Sequence, residues 1–154
     1  MPISASVVAN HFLQLAWDES KQLTHMQLQK LVYFAHGVML AHIEEPLINE
    51  GVSAWKFGPV IPELYDKLKQ YGRRNITDKI SPVDMDSLTN DHKDCIEFIW
   101  NNFKKYSAIQ LSDISHVEGS PWHQVRVNER YFIDIPNELT KSYYKEIIKN
   151  KSEG

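Results

Sequence analysis

The stretch from Leu23 to Ile43 constrains the fold more than any other part of this sequence. It contains no proline and one glycine, and its apolar residues recur at intervals of three and four. This spacing predicts an α-helix, because such residues lie on the same helical face. The apolar face consists of Leu28, Leu31, Val32, Ala35, Val38 and Met39. Phe34 and Leu40 add apolar surface elsewhere, so we expect a central helix covered on more than one side.

A polar and aromatic stripe runs beside the apolar face of this helix. Gln29, Tyr33 and His36 lie at positions i, i+4 and i+7, and therefore share one side of it. Two roles are open for the stripe. It either supports a neighbouring turn from within the fold or forms part of a binding surface.

The remaining sequence predicts a mainly α-helical domain of about six to seven helices with a minor β-hairpin or short sheet. Capping patterns place several helix starts. The expected caps are Ser4 or Ser6, Thr24, Ser107 with Gln110, and Ser120 followed by Pro121. A chain of 154 residues is long enough to bury one core, so we expect a single domain over residues 1–149. Residues 150–154 are expected to form a frayed tail.

The extended segments are short and lie in two regions. Leu47-Ile48 and Val52 to Trp55 predict a small hairpin or an irregular loop, and Gly58-Pro59 predicts a turn. Residues 131–135 are expected to pair with the strands near Val52. The polar connection from Gly72 to Ser87 is predicted to be a mobile excursion.

Composition and charge exclude several classes of protein. The 42% hydrophobic and 24% charged content argues against general disorder. No apolar run approaches the roughly 20 residues needed to span a membrane, and the N-terminus lacks the pattern of a signal peptide. The single cysteine, Cys95, excludes an intrachain disulfide and fits a reducing compartment. We therefore expect a cytoplasmic protein that does not interact with membranes.

Nucleic acid is not an expected partner of this chain alone. Its formal net charge is −3, so binding would require a local basic patch. Arg73-Arg74 is too small for such a patch. Only Lys30 is basic on the helix that a helix-turn-helix arrangement would place in a DNA groove, and that helix is too apolar for the role.

The sequence offers little support for catalysis or for a cofactor. It contains no H-E-x-x-H, no C-x-x-C, no P-loop and no dinucleotide fingerprint, so we expect no metal and no cofactor. Cys95 falls on an apparent core face. Ser112, Ser115 and His116 are residue types found in hydrolases, but neighbours on one helix seldom form a catalytic triad.

Three stretches of the chain share a pattern in combination and in order. They are Leu28 to Gly37, Ala54 to Tyr65, and His116 followed by Ser120-Pro121-Trp122. Together they resemble the Panacea domain family, the SocA-like antitoxin domain that also occurs in phage-associated GepA-type proteins. The resemblance extends from Val8 to about Tyr144.

The resemblance implies an antitoxin of a bacterial or prophage toxin-antitoxin system and not an enzyme. Its partner would be a toxin encoded by the adjacent gene, which it would neutralise by direct protein–protein binding. One alternative is an adaptor that delivers a toxin to a Clp-type protease. A small hydrolase that uses His36 or His116 has less support.

The candidate toxin-binding or motif residues come from these stretches and from the aromatic residues around them. They are Gln29, Lys30, Tyr33, His36, Trp55, Lys56, Phe57, Gly58, Pro59, Tyr65 and Trp122. Exposed aromatic side chains commonly anchor protein interfaces. The same residues are equally suited to determining the fold, and the sequence leaves both roles open.

Overall fold

A computed structural model describes the backbone of residues 1–128 and 134–153, and the side chains of residues 1–127 and 134–150. Within these ranges the chain forms seven α-helices and one two-stranded antiparallel sheet. The elements are α1 (Ala5–Asp18), α2 (His25–Ile43), β1 (Ser53–Trp55), β2 (Gly58–Val60), α3 (Pro62–Leu68), α4 (Asn90–Phe103), α5 (Ala108–Ser115), α6 (Pro121–Asn128) and α7 (Asn137–Glu153). The predicted mainly α-helical class with a minor hairpin is confirmed.

Local capping explains where the helices begin. The Thr24 hydroxyl accepts a hydrogen bond from the Gln27 backbone N–H, and the Gln27 side chain accepts one from the Thr24 N–H. This reciprocal arrangement satisfies two donors that a helix start would otherwise leave free. Ser4 caps α1, and Ser107 forms the same reciprocal pair with Gln110 at the start of α5.

Helix α2 is the centre of the core. It packs against α1, α3, α4, α5, α7 and β2, so its buried residues lie on all sides rather than on one face. The predicted apolar face is buried except for Val38, which is half-buried, and Phe34 and Leu40 are also buried. The expectation of a central helix covered on more than one side is therefore confirmed.

The segments that pair differ from the prediction. Leu47-Ile48 was the expected partner of Val52 to Trp55 in a hairpin or irregular loop, but Ile48 instead forms a parallel bridge with Ile3, and β1 pairs with β2.

The strands of the hairpin pair Ser53 with Val60 and Trp55 with Gly58, so the turn consists of Lys56 and Phe57. The sequence placed the turn at Gly58-Pro59, which instead forms the start of β2. Gly58 has a φ of +114°, a conformation that glycine adopts without strain, and this explains its position directly after the turn.

A third extended segment joins β1. The Ile135 N–H donates to the Val52 carbonyl over 2.7 Å, and Asp134 pairs with Ser53 in an antiparallel bridge. This contact agrees with the predicted pairing of residues 131–135 near Val52. Residues 131–133 lie outside the described part of the chain.

The connection from Gly72 to Ser87 is held against the helices. The Ile76 N–H donates to the Leu23 carbonyl over 2.8 Å. The buried Asn10 side chain both accepts from the Ile80 N–H and donates to the Ile80 carbonyl, each over 2.8 Å. Since Ile76 and Ile80 are buried, this segment is a packed connection and not the free excursion that its polarity suggested.

Two further observations concern the ends of the chain and its helices. The backbone of α7 continues to Glu153, so the predicted domain boundary at residue 149 does not coincide with the end of this helix.

No described helix has both the length and the apolar character that a membrane span requires.

Gly37 allows the close approach of α2 and α7, and its replacement by alanine tests that contact. A Cβ at this position would lie 2.7 Å from Cδ2 of Tyr144, whose ring is buried. Alanine favours helix by about 1 kcal/mol over glycine, but overpacking a core costs about 1–3 kcal/mol. We expect Gly37→Ala to lower the free energy of unfolding in urea.

The control is Gly51→Ala, because a Cβ there meets no atom within 4 Å. This variant should unfold at nearly the wild-type urea concentration. A Gly37→Ala protein more stable than wild type would contradict the close packing of α7 on α2.

Candidate functional site

Side chains from three helices hold the hairpin by its backbone. We call these residues the hairpin clamp: Gln29 and Lys30 from α2, Ser112 from α5, and Trp122 and Arg126 from α6. Each one bonds a backbone group in or directly after the hairpin. The clamp therefore fixes a hairpin of only two short strands, which by itself is marginally stable in water.

Gln29 makes the most complete contact in the clamp. Its Oε1 accepts from the Ile61 N–H over 3.0 Å, and its Nε2 donates to the Ile61 carbonyl over 3.3 Å. The same Nε2 lies 3.2 Å from Nε2 of His25. An amide nitrogen is a donor, so this His25 nitrogen is the acceptor and the ring is neutral. Burial, together with nearby Lys30, lowers the pKa of His25 to about 4.

Lys30 is a buried amine held by a neutral group. Its Nζ donates to the Pro59 carbonyl over 2.8 Å, and no carboxylate among the described residues lies within ion-pair distance of it. Burial lowers the pKa of its ammonium group to about 7. A Cβ added to Gly58 would lie 2.8 Å from this Nζ and 2.8 Å from Oγ of Ser115. Glycine is therefore required here for space as well as for its backbone conformation.

The other side of the hairpin is held by α5 and α6. The Ser112 hydroxyl donates to the Phe57 carbonyl over 2.8 Å, and Nε1 of Trp122 donates to the Trp55 carbonyl. Nη1 of Arg126 donates to the Ala54 carbonyl over 3.2 Å, and its guanidinium lies 5.7 Å from the centre of the Trp122 ring. The carbonyls of Ala54, Trp55 and Phe57 thus each have a side-chain donor from α5 or α6.

His36 and Tyr33 lie in the core, apart from the clamp. Nδ1 of His36 accepts from the Leu47 N–H over 3.3 Å, and its Nε2 lies 3.0 Å from Oδ1 of Asn137. The ring is thus a neutral bridge between α2, the segment before β1 and the start of α7. Tyr33 is fully buried, with its ring 6.1 Å from that of Tyr144.

The residues proposed for hydrolysis are engaged in local contacts. The Ser115 hydroxyl donates to the Ser112 carbonyl over 2.7 Å, and Nδ1 of His116 contacts the same carbonyl. The His116 ring packs edge-on against Trp122 at 5.1 Å between centroids. Burial raises the pKa of the Cys95 thiol to about 12, so this group is protonated at neutral pH. Among the described residues, no three His, Cys, Asp or Glu side chains are grouped closely enough to hold a metal ion.

A cleft of about 760 Å³ opens beside the clamp, and we call it the hairpin cleft. It lies between the start of α2, the hairpin turn, the end of α3 with its following turn, and the start of α5. Its charged and aromatic lining residues are His25, Lys30, Trp55, Lys56, Phe57, Tyr65, Lys69 and Arg73. Tyr65 joins two of these rings, since its centroid lies 4.9 Å from that of His25 and 5.0 Å from that of Trp55.

The structure divides the predicted site residues by exposure. The buried ones are Gln29, Lys30, Tyr33, His36, Gly58 and Pro59. Trp55 and Trp122 are half-buried, whereas Lys56, Phe57 and Tyr65 are exposed. All except Tyr33 and His36 belong to the hairpin, its clamp or the cleft beside it. The sequence did not indicate Ser112 and Arg126 as clamp residues, because their roles depend on contacts between distant segments. For the same reason it did not indicate His25, Lys69 and Arg73 as cleft residues.

The protein is therefore a helical domain with a short hairpin, and polar side chains from α2, α5 and α6 bond the backbone of this hairpin. Residues 28–123 match the family described as Antitoxin SocA-like, Panacea domain. The chain belongs to this family, and the resemblance drawn from the sequence is confirmed. The matched range contains all of the clamp except Arg126.

A curated relative supports the same assignment. Antitoxin SocA from Caulobacter vibrioides (strain NA1000 / CB15N) is 34% identical over 129 residues, which cover 78% of this chain and 69% of the relative. No solved structure is significantly similar to the chain.

Gln29→Met tests whether the clamp stabilises the fold. Methionine keeps the length of the side chain but leaves the buried Ile61 N–H without the acceptor that it has in the structure. Leaving such a group unsatisfied costs about 1–3 kcal/mol. We expect the free energy of unfolding in urea to fall by about this amount. Gln22→Met, at an exposed position, is the matched control and should change it little. Equal stabilities would show that the clamp contact is dispensable.

Buried histidines predict a loss of stability in mild acid. Burial lowers the pKa values of His11, His25 and His36 below the ordinary value of 6.5. The unfolded chain therefore binds more protons than the folded chain as the pH falls below 6.5, so stability decreases in that direction. A histidine that stays uncharged in the folded protein lowers the free energy of unfolding by about 1–2 kcal/mol between pH 7 and pH 5. Carboxylates remain mostly ionised in this window and contribute little.

The measurement is the free energy of unfolding in urea at pH 7, 6 and 5. His25→Gln keeps a side chain that can accept from Gln29 but cannot titrate, so its pH dependence should be flatter than that of the wild type. A wild-type protein with constant stability across this range would contradict the neutral state assigned to these rings.

Proposed function

We propose that this chain is an antitoxin that neutralises a protein toxin by binding it directly, without catalysing a reaction. The toxin is the one encoded by the adjacent gene, and the complex forms in the cytoplasm. Family membership supports the antitoxin role. The observation that carries the binding mechanism is the hairpin, whose backbone is fixed by the clamp while its turn residues, Lys56 and Phe57, face solvent.

The exposed turn has the character of an interface. The Phe57 side chain is 61% exposed although it is a large apolar group, and Nζ of Lys56 lies 5.4 Å from the centre of its ring. Exposed aromatic residues on a rigid support are typical centres of binding energy, because little conformational entropy is lost when they are buried. In this proposal the buried motif residues position the hairpin, and Phe57, Lys56 and Tyr65 contact the toxin.

The same contacts argue against a role for His36 or His116 in hydrolysis. Both rings have polar atoms engaged with backbone or amide groups of the fold. Replacing either histidine is therefore expected to lower the stability of the fold. Any loss of function should then follow from the loss of folded protein. A hydrolase would instead lose activity in a variant that remains as stable as the wild type.

Co-expression with the adjacent gene tests the proposed function. Expression of the neighbour alone should arrest growth, and this chain should restore growth and co-purify with the neighbour. Phe57→Ala should weaken the complex at least tenfold, the scale of an interface hot spot of about 1.4 kcal/mol or more. Because Phe57 is largely exposed, the variant should retain the wild-type melting temperature.

Phe98→Ala is the matched control, since Phe98 is another exposed phenylalanine, 54% accessible, on α4. It should bind as the wild type does.

Measuring the toxin's half-life in the same cells separates two mechanisms. A stable toxin in a complex supports neutralisation by occlusion, whereas rapid loss of the toxin would support delivery to a Clp-type protease. Lack of both rescue and co-purification with a toxic neighbour would refute the proposal.

A further inference from the structure

The hairpin cleft has an unbalanced charge. Three cationic side chains line it, Lys56, Lys69 and Arg73, together with the buried amine of Lys30, and no aspartate or glutamate is among the lining residues of the described chain. This concentration of positive charge occurs in a protein whose formal net charge is −3. A concave surface lined by charges of one sign attracts ligands of the opposite sign.

Most of this charge is not neutralised by ion pairs among the described residues. Lys69 forms an ion pair with Asp66 at 3.7 Å, but both side chains are exposed, and such pairs are weak. Within the described residues, no carboxylate lies within ion-pair distance of Lys56 or Arg73. Lys30 bonds a carbonyl and is buried without a counter-ion, so an anion bound nearby would favour its protonated form.

The walls of the cleft are aromatic and apolar between these cations. Phe57 and Tyr65 are exposed and Trp55 is half-buried, while Met26 and Ile109 at the rim are 39% and 73% exposed. Aromatic rings, methionine and arginine are the groups enriched in protein interfaces. The cleft therefore offers apolar contacts and anion-binding groups within one space.

These dimensions and charges favour a protein segment over a nucleic acid. A volume of about 760 Å³ falls within the roughly 300–1,000 Å³ of sites that enclose drug-sized ligands, so it suits a few side chains. Nucleic-acid binding relies on a series of phosphate contacts along an extended basic surface. The cations here instead surround a single concave space with apolar walls.

We propose that the hairpin cleft receives a short acidic segment of the toxin, in which aspartate or glutamate carboxylates alternate with apolar or aromatic side chains. The carboxylates pair with Arg73, Lys56 and Lys69, and the apolar side chains pack on Phe57, Tyr65 and Ile109. This inference rests on the proposed function, and it adds the chemistry of the toxin's binding segment and three contact residues beyond the hairpin turn, Lys69, Arg73 and Ile109.

Charge reversal in the cleft tests the proposal with the full chain and the purified toxin. The variant Lys69→Glu/Arg73→Glu changes two exposed side chains of the cleft outside the hairpin turn, so its melting temperature should match that of the wild type. We expect its dissociation constant for the toxin to be at least tenfold higher. Added salt should weaken wild-type binding more than binding of the variant, because ion pairs at the cleft are screened. The matched control, Lys93→Glu/Lys105→Glu, reverses two exposed lysines outside the cleft and should stay within twofold of wild type.

Competition identifies the segment. Overlapping synthetic peptides that cover the toxin are added to the complex, and an acidic, apolar-rich peptide should displace the toxin from the wild type and fail to bind the double variant. A labelled single-stranded oligonucleotide is tested in parallel. Tight oligonucleotide binding that the double variant abolishes, without displacement by any acidic peptide, would overturn the inference.

The outcomes separate this inference from the proposed function. If the wild type and the double variant bind the toxin equally, the cleft proposal fails and the antitoxin proposal stands. If the wild type does not bind a toxic neighbour at all, both fail. Loss of binding only in the double variant, with the control unaffected, supports both.

Discussion

The contact between α2 and the hairpin backbone determines how this domain presents its surface. Gln29 satisfies both backbone groups of Ile61, and Lys30 bonds the Pro59 carbonyl. A hairpin with three residues in each strand has too few hydrogen bonds and too little apolar area to be stable alone. Because its polar backbone is satisfied by side chains anchored in the central helix, the hairpin becomes a rigid part of the core.

This arrangement buries the amine of Lys30, and burial lowers its pKa to about 7. Lys30 is buried against a carbonyl, with Gly58 providing the space for its ammonium group. A buried charge without a counter-ion normally destabilises a protein, so such residues often have a role beyond packing. In this chain the lysine lies between the fixed hairpin and an open basic cleft. The structural support that this side chain gives the hairpin is observed, and its attraction for an anion is part of the proposal for the cleft.

Much of the fold follows from local sequence signals. The caps at Ser4, Thr24 and Ser107 and the periodicity of α2 depend on residues a few positions apart, so the helices and the central position of α2 were predictable. The paired strands of the hairpin and its turn were not. Gly58-Pro59 has the composition of a turn, but antiparallel pairing with β1 and the space around Lys30 place the turn two residues earlier, at Lys56 and Phe57. Tertiary packing outweighed the local preference.

The sequence by itself determined the helical class, the family and the stripe of Gln29, Tyr33 and His36, because short-range spacing and motif order encode them. Only the tertiary structure decided what the stripe does. Gln29 holds the hairpin, whereas Tyr33 and His36 fill the core and join α2 to α7. Hydrogen-bond partners such as Ile61 and Asn137 are distant along the chain, so no local pattern could assign these roles. The cleft likewise exists only because folding brings four separate segments together.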